Sequence, residues 1–309
     1  MPGSAIDRMR RRVVINTTGL FAHADDPLAN TLDYPGDPGL FGPDSVTWRV
    51  MGDPATFVGG IRALMIQAAH PEVVAGVADH SRYREDPLGR LSRTSNYVTA
   101  TAYGAMPEVE AAVATVRRAH SPVRGTSHRA VPYSAGTPEL AAWVHNSLTD
   151  SFLVANQMFG RHRLTGPEAD RFVHEQTTVG ALLGAQPLPD TANELEAYVA
   201  EHPSLAPSPG ANETMAFLKN PPLPATIRAG YRILAAAAAA TIPERLRRVL
   251  DLTPPPLARQ QGAMAVTGLR WALGASPRWR IALLRVGAEI PEGQFKQKLP
   301  FEDLPRRNV

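Results

Sequence analysis

The sequence has no cysteine. That excludes disulfide frameworks, Cys-bound zinc, iron–sulfur clusters, thiolate-ligated haem and cysteine nucleophiles. Lysine is nearly absent too: Lys219, Lys296 and Lys298 are the only three. Positive charge is therefore almost all arginine, a planar fork suited to carboxylates and phosphates that stays protonated. Neither sign of charge dominates, since the net charge is only +3. A nucleic-acid binder needs a concentrated basic face. The one dense run is Arg8, Arg10, Arg11 and Arg12, which reads as a solvated terminus, so no nucleic-acid partner is expected. Long apolar runs are lacking as well. The most apolar stretch, 233–242, is mostly alanine and about half a membrane span, and only Val13, Val14 and Ile15 follow the basic run, too few for a signal-peptide core. The expectation is a cytoplasmic chain without stable membrane insertion.

What is present is ordinary globular material: 309 residues, 44% hydrophobic and 20% charged. The 29 prolines, about twice the ~5% average, are scattered and read as helix stops and turns. Helix signals dominate. Thr137-Pro138-Glu139 opens an amphipathic run to Phe159, closed by Gly160. Thr165 to Glu168 and Thr241 to Glu244 match the capping box. Further helices are expected at 53–70, 87–103, 107–120, 191–201, 224–240, 256–274 and 276–287. Segment 203–224 carries six prolines and reads as a loop with one short helix. Alternating strand patterns are scarce, Val13 to Asn16 being the best. Strand–helix alternation is absent, which disfavours a doubly wound sheet. The fold class expected is all-α: one multi-helix domain over 43–287, an N-terminal extension over 1–42 and an irregular tail over 288–309.

The common catalytic signatures are missing. There is no Walker loop, no G-x-G-x-x-G after a strand, no G-x-S-x-G elbow, no H-E-x-x-H and no pair of E-x-x-H helices. Haem held between helices by histidine remains open to such a chain. Three helix faces could build a pocket. On 107–120, Val109, Val113, Val116 and His120 share an apolar stripe, so His120 is expected buried, as a core histidine bonded to a carbonyl or as a metal ligand. On 54–70, His70 lies above the small stripe Gly59, Ala63, Ile66 and Gln67, which suits close helix packing or a flat ligand. On 87–103, Arg90, Arg93, Thr94, Tyr97 and Thr101 form a polar stripe with no acid after Asp86. It is either a solvated face or a lining for anionic groups. His145 borders the Leu140, Val144, Leu148 stripe. His80, His128, His162, His174 and His202 read as surface residues.

Several segments together resemble a known haem-b oxygenase family, that of the latex clearing proteins (rubber oxygenases) and the fungal oxygenase of the mycophenolic acid pathway. They are Gly60 to Gln67, His70-Pro71, Asp79-His80-Ser81, Asp86 to Arg90, Arg93-Thr94, His120 with Val123-Arg124-Gly125, Tyr133-Ser134-Ala135 and Trp143-Val144-His145. The likeness runs from about residue 43 to 184 and more weakly to 285. It implies a helical fold, haem b (iron) as cofactor, and O2 used on a hydrophobic small molecule by alkene cleavage or C–H oxygenation, with an electron donor where the chemistry needs one. It also implies His120 as the proximal iron ligand, four residues before Arg124. The pocket arginine and threonine of the family's R-x-x-K-T motif fall on Arg90 and Thr94. Its lysine, able to reach the distal iron position, is replaced here by Arg93, which has no lone pair to give. His70 becomes the candidate for that side, Arg93, Arg124 and Tyr97 candidates for cofactor contacts, and His145 an alternative or supporting ligand. No carboxylate here is matched to the base of latex clearing enzymes, and without an export signal a small substrate is expected rather than extracellular polyisoprene. A non-catalytic haem-binding or gas-sensing protein, or a helical scaffold, remains the alternative.

Overall fold

The structure, a computed structural model, describes residues 5–299. Among them are fourteen α-helices and one small β-hairpin, the all-α architecture expected. The first residues of the expected N-terminal extension, 1–4, and the last of the expected irregular tail, 300–309, lie outside the described residues.

Two helices form the centre, α3 (Thr56–Gln67) and α7 (Pro138–Phe159), packed along their length. Val58, Met65 and Ile66 of α3 meet Trp143, Phe152 and Leu153 of α7 in one buried cluster. Gly59 makes the approach close: a Cβ there would stand 2.7 Å from Phe152 Cδ1. Buried Arg62 ties the pair with one bond of 2.5 Å to Asp150 and one of 3.0 Å to Ser151 Oγ. Around this pair, α11 (Ala225–Ala240) covers α3 and packs on α13 (Ala258–Leu273), while α8 (Gly166–Leu182) and α9 (Ala192–Glu201) cover α7. The alanine-rich α11 permits close contact, because Gly262 of α13 leaves no room for a Cβ against Ala237.

The remaining helices are α1 (Ala5–Gly19), α2 (Val46–Gly52), α4 (Pro71–His80), α5 (Pro87–Tyr103), α6 (Met106–His120), α10 (Pro209–Lys219), α12 (Glu244–Val249) and α14 (Pro277–Val286). Buried Arg285 of α14 fastens the segment before α2: it donates to Thr31 Oγ1 at 2.6 Å, Tyr103 O at 2.6 Å and Asp37 O at 2.7 Å. After α14 the chain turns back, with Ala275 N bonded to Gln294 O at 2.8 Å and Phe295 against Trp279.

Four local expectations need correction. Thr241 does not form a capping box: the helix Glu244–Val249 follows Pro243 with no side-chain cap, and the Thr241 hydroxyl donates to Ala238 O at 2.7 Å at the end of α11. Val13 to Asn16 is not a strand; it is helical, within α1. A strand needs a partner, and this segment instead packs on α13, with Arg10 donating to Ala272 O at 3.0 Å. The helix expected over 53–70 is interrupted. Asp53 lies between α2 and α3, its side chain accepting from Ala55 N at 2.8 Å. α3 ends at Gln67, and His70 is the N-cap of α4 with φ −96° and ψ 112°. Pro71 explains that geometry, since a residue before proline is pushed out of the helical region. The hairpin, β1 (Arg124–Thr126) with β2 (Pro132–Ser134), was not expected, because each strand is only three residues long.

The capping box at Thr165 is present: Thr165 N donates to Glu168 Oε2 at 2.9 Å and Glu168 N donates to Thr165 Oγ1 at 3.4 Å. Thr165→Ala is expected to cost about 1 kcal/mol of stability, measurable by urea denaturation.

Candidate functional site

Helix α5 passes through a short link into α6, and the two pack on each other. The turn at Gly104 is close, as a Cβ there would sit 2.6 Å from Ala100 O. Asp86 caps α5 by accepting from Gly89 N at 3.0 Å. A bond of 2.7 Å from Arg117 to Leu182 O joins the end of α6 to the end of α8.

The polar stripe of α5 is real and mostly unpartnered. Arg90 stacks over Tyr83 at 5.9 Å. Burial, and more weakly the neighbouring Arg93 charge, lower its pKa, yet no described residue supplies a carboxylate or carbonyl to its guanidinium. Thr94 is exposed and its hydroxyl has no partner among the described residues. The Tyr97 hydroxyl also lacks one, and burial pushes its pKa up to about 12. Two members of the stripe are already engaged. Arg93 reaches Asp86 at 3.2 Å on the surface, and Thr101 Oγ1 donates to Tyr97 O of its own helix at 3.0 Å.

His120 departs from expectation: it is exposed. The apolar stripe of α6 is buried at Val109 and Val113 and fades by Val116, because the last turn runs past its packing partners. Desolvation nevertheless lowers the His120 pKa. Its imidazole makes no hydrogen bond to a described residue. Arg124 is exposed in β1, with Nη2 donating to Ser121 O at 3.1 Å. His80 is tied to Arg124 O at 3.1 Å.

His70 is not brought to this face. It is buried between Trp143 and His202, with ring centroids 5.9 and 5.4 Å away. Its Nδ1 lies 3.3 Å from Glu72 Oε2. His202 is thus half-buried in an aromatic cluster with Trp143 and Tyr198, not the surface residue expected. Sequence reasoning also missed Glu72. This buried carboxylate accepts from Ser127 Oγ at 2.8 Å and Arg129 Nη2 at 2.5 Å, docking the hairpin onto α4. Its partners lie more than fifty positions away, so no local signal could announce it.

His145 lies between α7 and α8, near Gly180, where a Cβ would stand 2.8 Å from its Cδ2. Burial lowers its pKa to about 4, opposed by a bond to the Gln176 backbone. It borders a cavity shared with Tyr97, Val98, Met51 and Phe152. Burial likewise takes His70 to about 4. Both histidines resist protonation in the fold but take a proton at pH 6.5 when unfolded. Their contribution to stability is complete above pH 6.5 and is lost as pH falls toward 4. At pH 5 the expected loss is about 1–2 kcal/mol per histidine, measurable by comparing urea midpoints at pH 7 and pH 5.

The fold is an all-α domain in which α5 and α6 carry the His120 imidazole and the Thr94 and Tyr97 hydroxyls without hydrogen-bond partners among the described residues. Residues 48–275 match the family described as ER-bound oxygenase mpaB/B′/rubber oxygenase, catalytic domain. The chain belongs to that oxygenase family. No curated protein and no solved structure matches it. Among the described residues, no helix is long and apolar enough to cross a membrane.

Proposed function

We propose that the protein is a haem b-dependent oxygenase acting with O2 on a neutral hydrophobic small molecule, with His120 as the iron ligand. One observation carries the reading: on the contacting helices α5 and α6, the His120 imidazole and the Thr94 and Tyr97 hydroxyls have no hydrogen-bond partner among the described residues, and Arg90 has only the Tyr83 ring. Half-buried polar groups are normally hydrogen-bonded, so Arg90 and Tyr97 suit a ligand that brings its own acceptors, and the exposed His120 is accessible to a metal. Haem fits: its propionates match a guanidinium without a carboxylate, and its iron takes a neutral imidazole.

Bound there, haem supplies O2 activation, and an imidazole ligand gives it no thiolate push. The chain's own contribution is positional. A lowered pKa keeps His120 neutral at pH 7, with a lone pair available. Arg90 stays protonated and holds an anionic edge from the first turns of α5. Thr94, one helical turn further on, would offer a hydroxyl donor to the bound group. Arg93 and Arg124, at the exposed rim, are further contacts for carboxylates. Where the family's lysine would stand, Arg93 points to Asp86 and cannot ligate iron. The electron donor, where one is needed, approaches from the exposed side of His120 and Arg124.

The test has two parts. Haem titrated into apoprotein is expected to bind at one per chain. Arg90→Leu is expected to weaken it about tenfold, the scale of one lost charge-assisted pair, without moving the Soret band. Incubation with labelled O2 and a neutral apolar substrate is expected to place label in product. Haem uptake with no labelled product from any such substrate would leave the non-catalytic, gas-sensing alternative.

A further inference from the structure

Among the described residues, twelve large apolar side chains are exposed. Six of them stand on α1, on α13 or at the N-cap of α13: Ile6, Met9, Ile15, Met264, Trp271 and Leu257. The two helices pack on each other. Single apolar residues scattered over a surface need no explanation, but a gathering of them marks a contact face.

The solvent side of α13 is apolar or neutral. Met264 and Trp271 are two turns apart on it, 76% and 38% exposed, with Gln260, Thr267 and Gly268 between and beside them. The two arginines of the helix turn to the body: Arg259 donates to Ala240 O at 2.7 Å and Arg270 to Asp53 Oδ1 at 2.8 Å. Leu257 is 63% exposed and holds φ 61° and ψ 12°. A leucine in the left-handed region is strained, and this one has little packing in the fold to offset the strain. Helix α1 buries none of its residues. Arg10 ties it down by donating to Ala272 O at 3.0 Å and Lys296 O at 2.7 Å. Its exposed positions mix Met9 and Ile15 with Arg8, Arg11 and Arg12. Asp7 is the only acid on the two helices. Exposed Lys296 adds a positive charge beside Trp271, its Nζ donating to Trp271 O at 3.2 Å.

We propose that α1 and α13 form a peripheral docking surface for an anionic lipid bilayer. The arginines meet lipid phosphates and carboxylates at headgroup level. Leu257, Met264, Trp271 and Ile15 enter the boundary between headgroups and acyl chains, the depth at which an interfacial helix buries its apolar side and tryptophan is favoured. The contact is superficial, since no described helix is long and apolar enough to cross a membrane. A helix of a second copy suits the face less well. A helix–helix seam needs two apolar positions per heptad, and α13 offers one, with Gln260 and Thr267 where the second would stand. A copy would also bring the α1 arginines no acid from these helices but Asp7. Docking places the chain where neutral hydrophobic small molecules concentrate, which suits the oxygenase reading without depending on it.

The experiment is co-sedimentation of the full chain with vesicles of phosphatidylcholine alone or of phosphatidylcholine mixed with phosphatidylserine, with tryptophan emission recorded on the same samples. Trp48, Trp143 and Trp279 are buried, so a change in emission reports Trp271. The mixed vesicles are expected to sediment the protein and shift its emission to the blue, and phosphatidylcholine alone to do neither. Raising the salt should weaken binding, because screening cuts the arginine attraction. Arg11→Glu with Arg12→Glu is expected to weaken it at least about twentyfold, at about fivefold for each arginine lost. Met264→Asp, at an exposed position, is expected to weaken it at least about tenfold, the scale of one large apolar side chain kept in water, with the melting temperature unchanged. Val131→Asp, an exposed apolar position in the hairpin, is expected to bind as the parent does. Failure to bind the mixed vesicles, or binding that survives Met264→Asp, overturns the proposal. A dimer that Met264→Asp dissociates, in a protein that binds no vesicle, assigns the face to a second copy and overturns it as well.

Discussion

His120→Ala is expected to leave the protein folded and without haem. The imidazole is exposed at the end of α6 and bonded to no described residue, so its removal should change the stability of the apoprotein by no more than about 0.5 kcal/mol. Its loss as an iron ligand cannot be made up nearby. His80 is held by Arg124 O at 3.1 Å. His70 is enclosed by Trp143, His202 and Glu72, and His145 is enclosed between α7 and α8. Haem content should fall below about a tenth of that of the parent, the loss expected when an axial ligand bond is removed and only anion contacts remain. Product formation should fall with it. The check is the pyridine haemochrome content of purified His120→Ala beside its melting temperature. His120→Gly supplemented with free imidazole should regain part of the Soret absorbance, which a merely structural histidine would not do. A His120→Ala protein with full haem and an unaltered spectrum would remove His120 from the site.

The second large effect is on stability. Asp150→Ala is expected to destabilise the protein by about 3–5 kcal/mol, because it leaves the Arg62 charge buried without its partner. Arg62 is 1% exposed, and its Nε has no acceptor even in the intact protein. With Asp150 gone, only Ser151 Oγ at 3.0 Å and Thr241 O at 3.4 Å would remain. At roughly 2–4 °C per kcal/mol for a domain of this order, the melting temperature should fall by about 6–20 °C. The double variant Arg62→Met, Asp150→Leu should recover most of the loss, since replacing both ions by apolar groups of similar size is often neutral. A double variant as unstable as Asp150→Ala would mean that the α3–α7 junction needs the hydrogen bonds themselves.

Helices α5 and α7 were legible because their ends are written locally, whereas α1, α2 and α4 were not foreseen. Proline at the first position and glycine at the close set α7 to Pro138–Phe159, and the same logic set α5 to Pro87–Tyr103. The polar stripe of α5 was legible as well, since helical spacing alone puts Arg90, Thr94 and Tyr97 on one side. What periodicity could not give was which side is covered. His120 shares the valine stripe of α6 but lies past the point where partners pack on it. His70 carries the right residue type in a helical-looking run, yet Pro71 ends that run and turns it into a different cluster. The hairpin at 124–134 and the Glu72 carboxylate that docks it depend on contacts between distant segments, which no local pattern records. Arg62 and Asp150, 88 positions apart, are the same case.

The most direct test of the account is the absorption spectrum of the purified protein, oxidised, reduced with dithionite and reduced under CO. The account predicts a Soret band at one haem per chain, a shift on reduction, and a further shift with CO. A protein that is colourless and stays so after incubation with haem would contradict it, and would leave an oxygenase-family fold whose free imidazole and arginine serve another ligand.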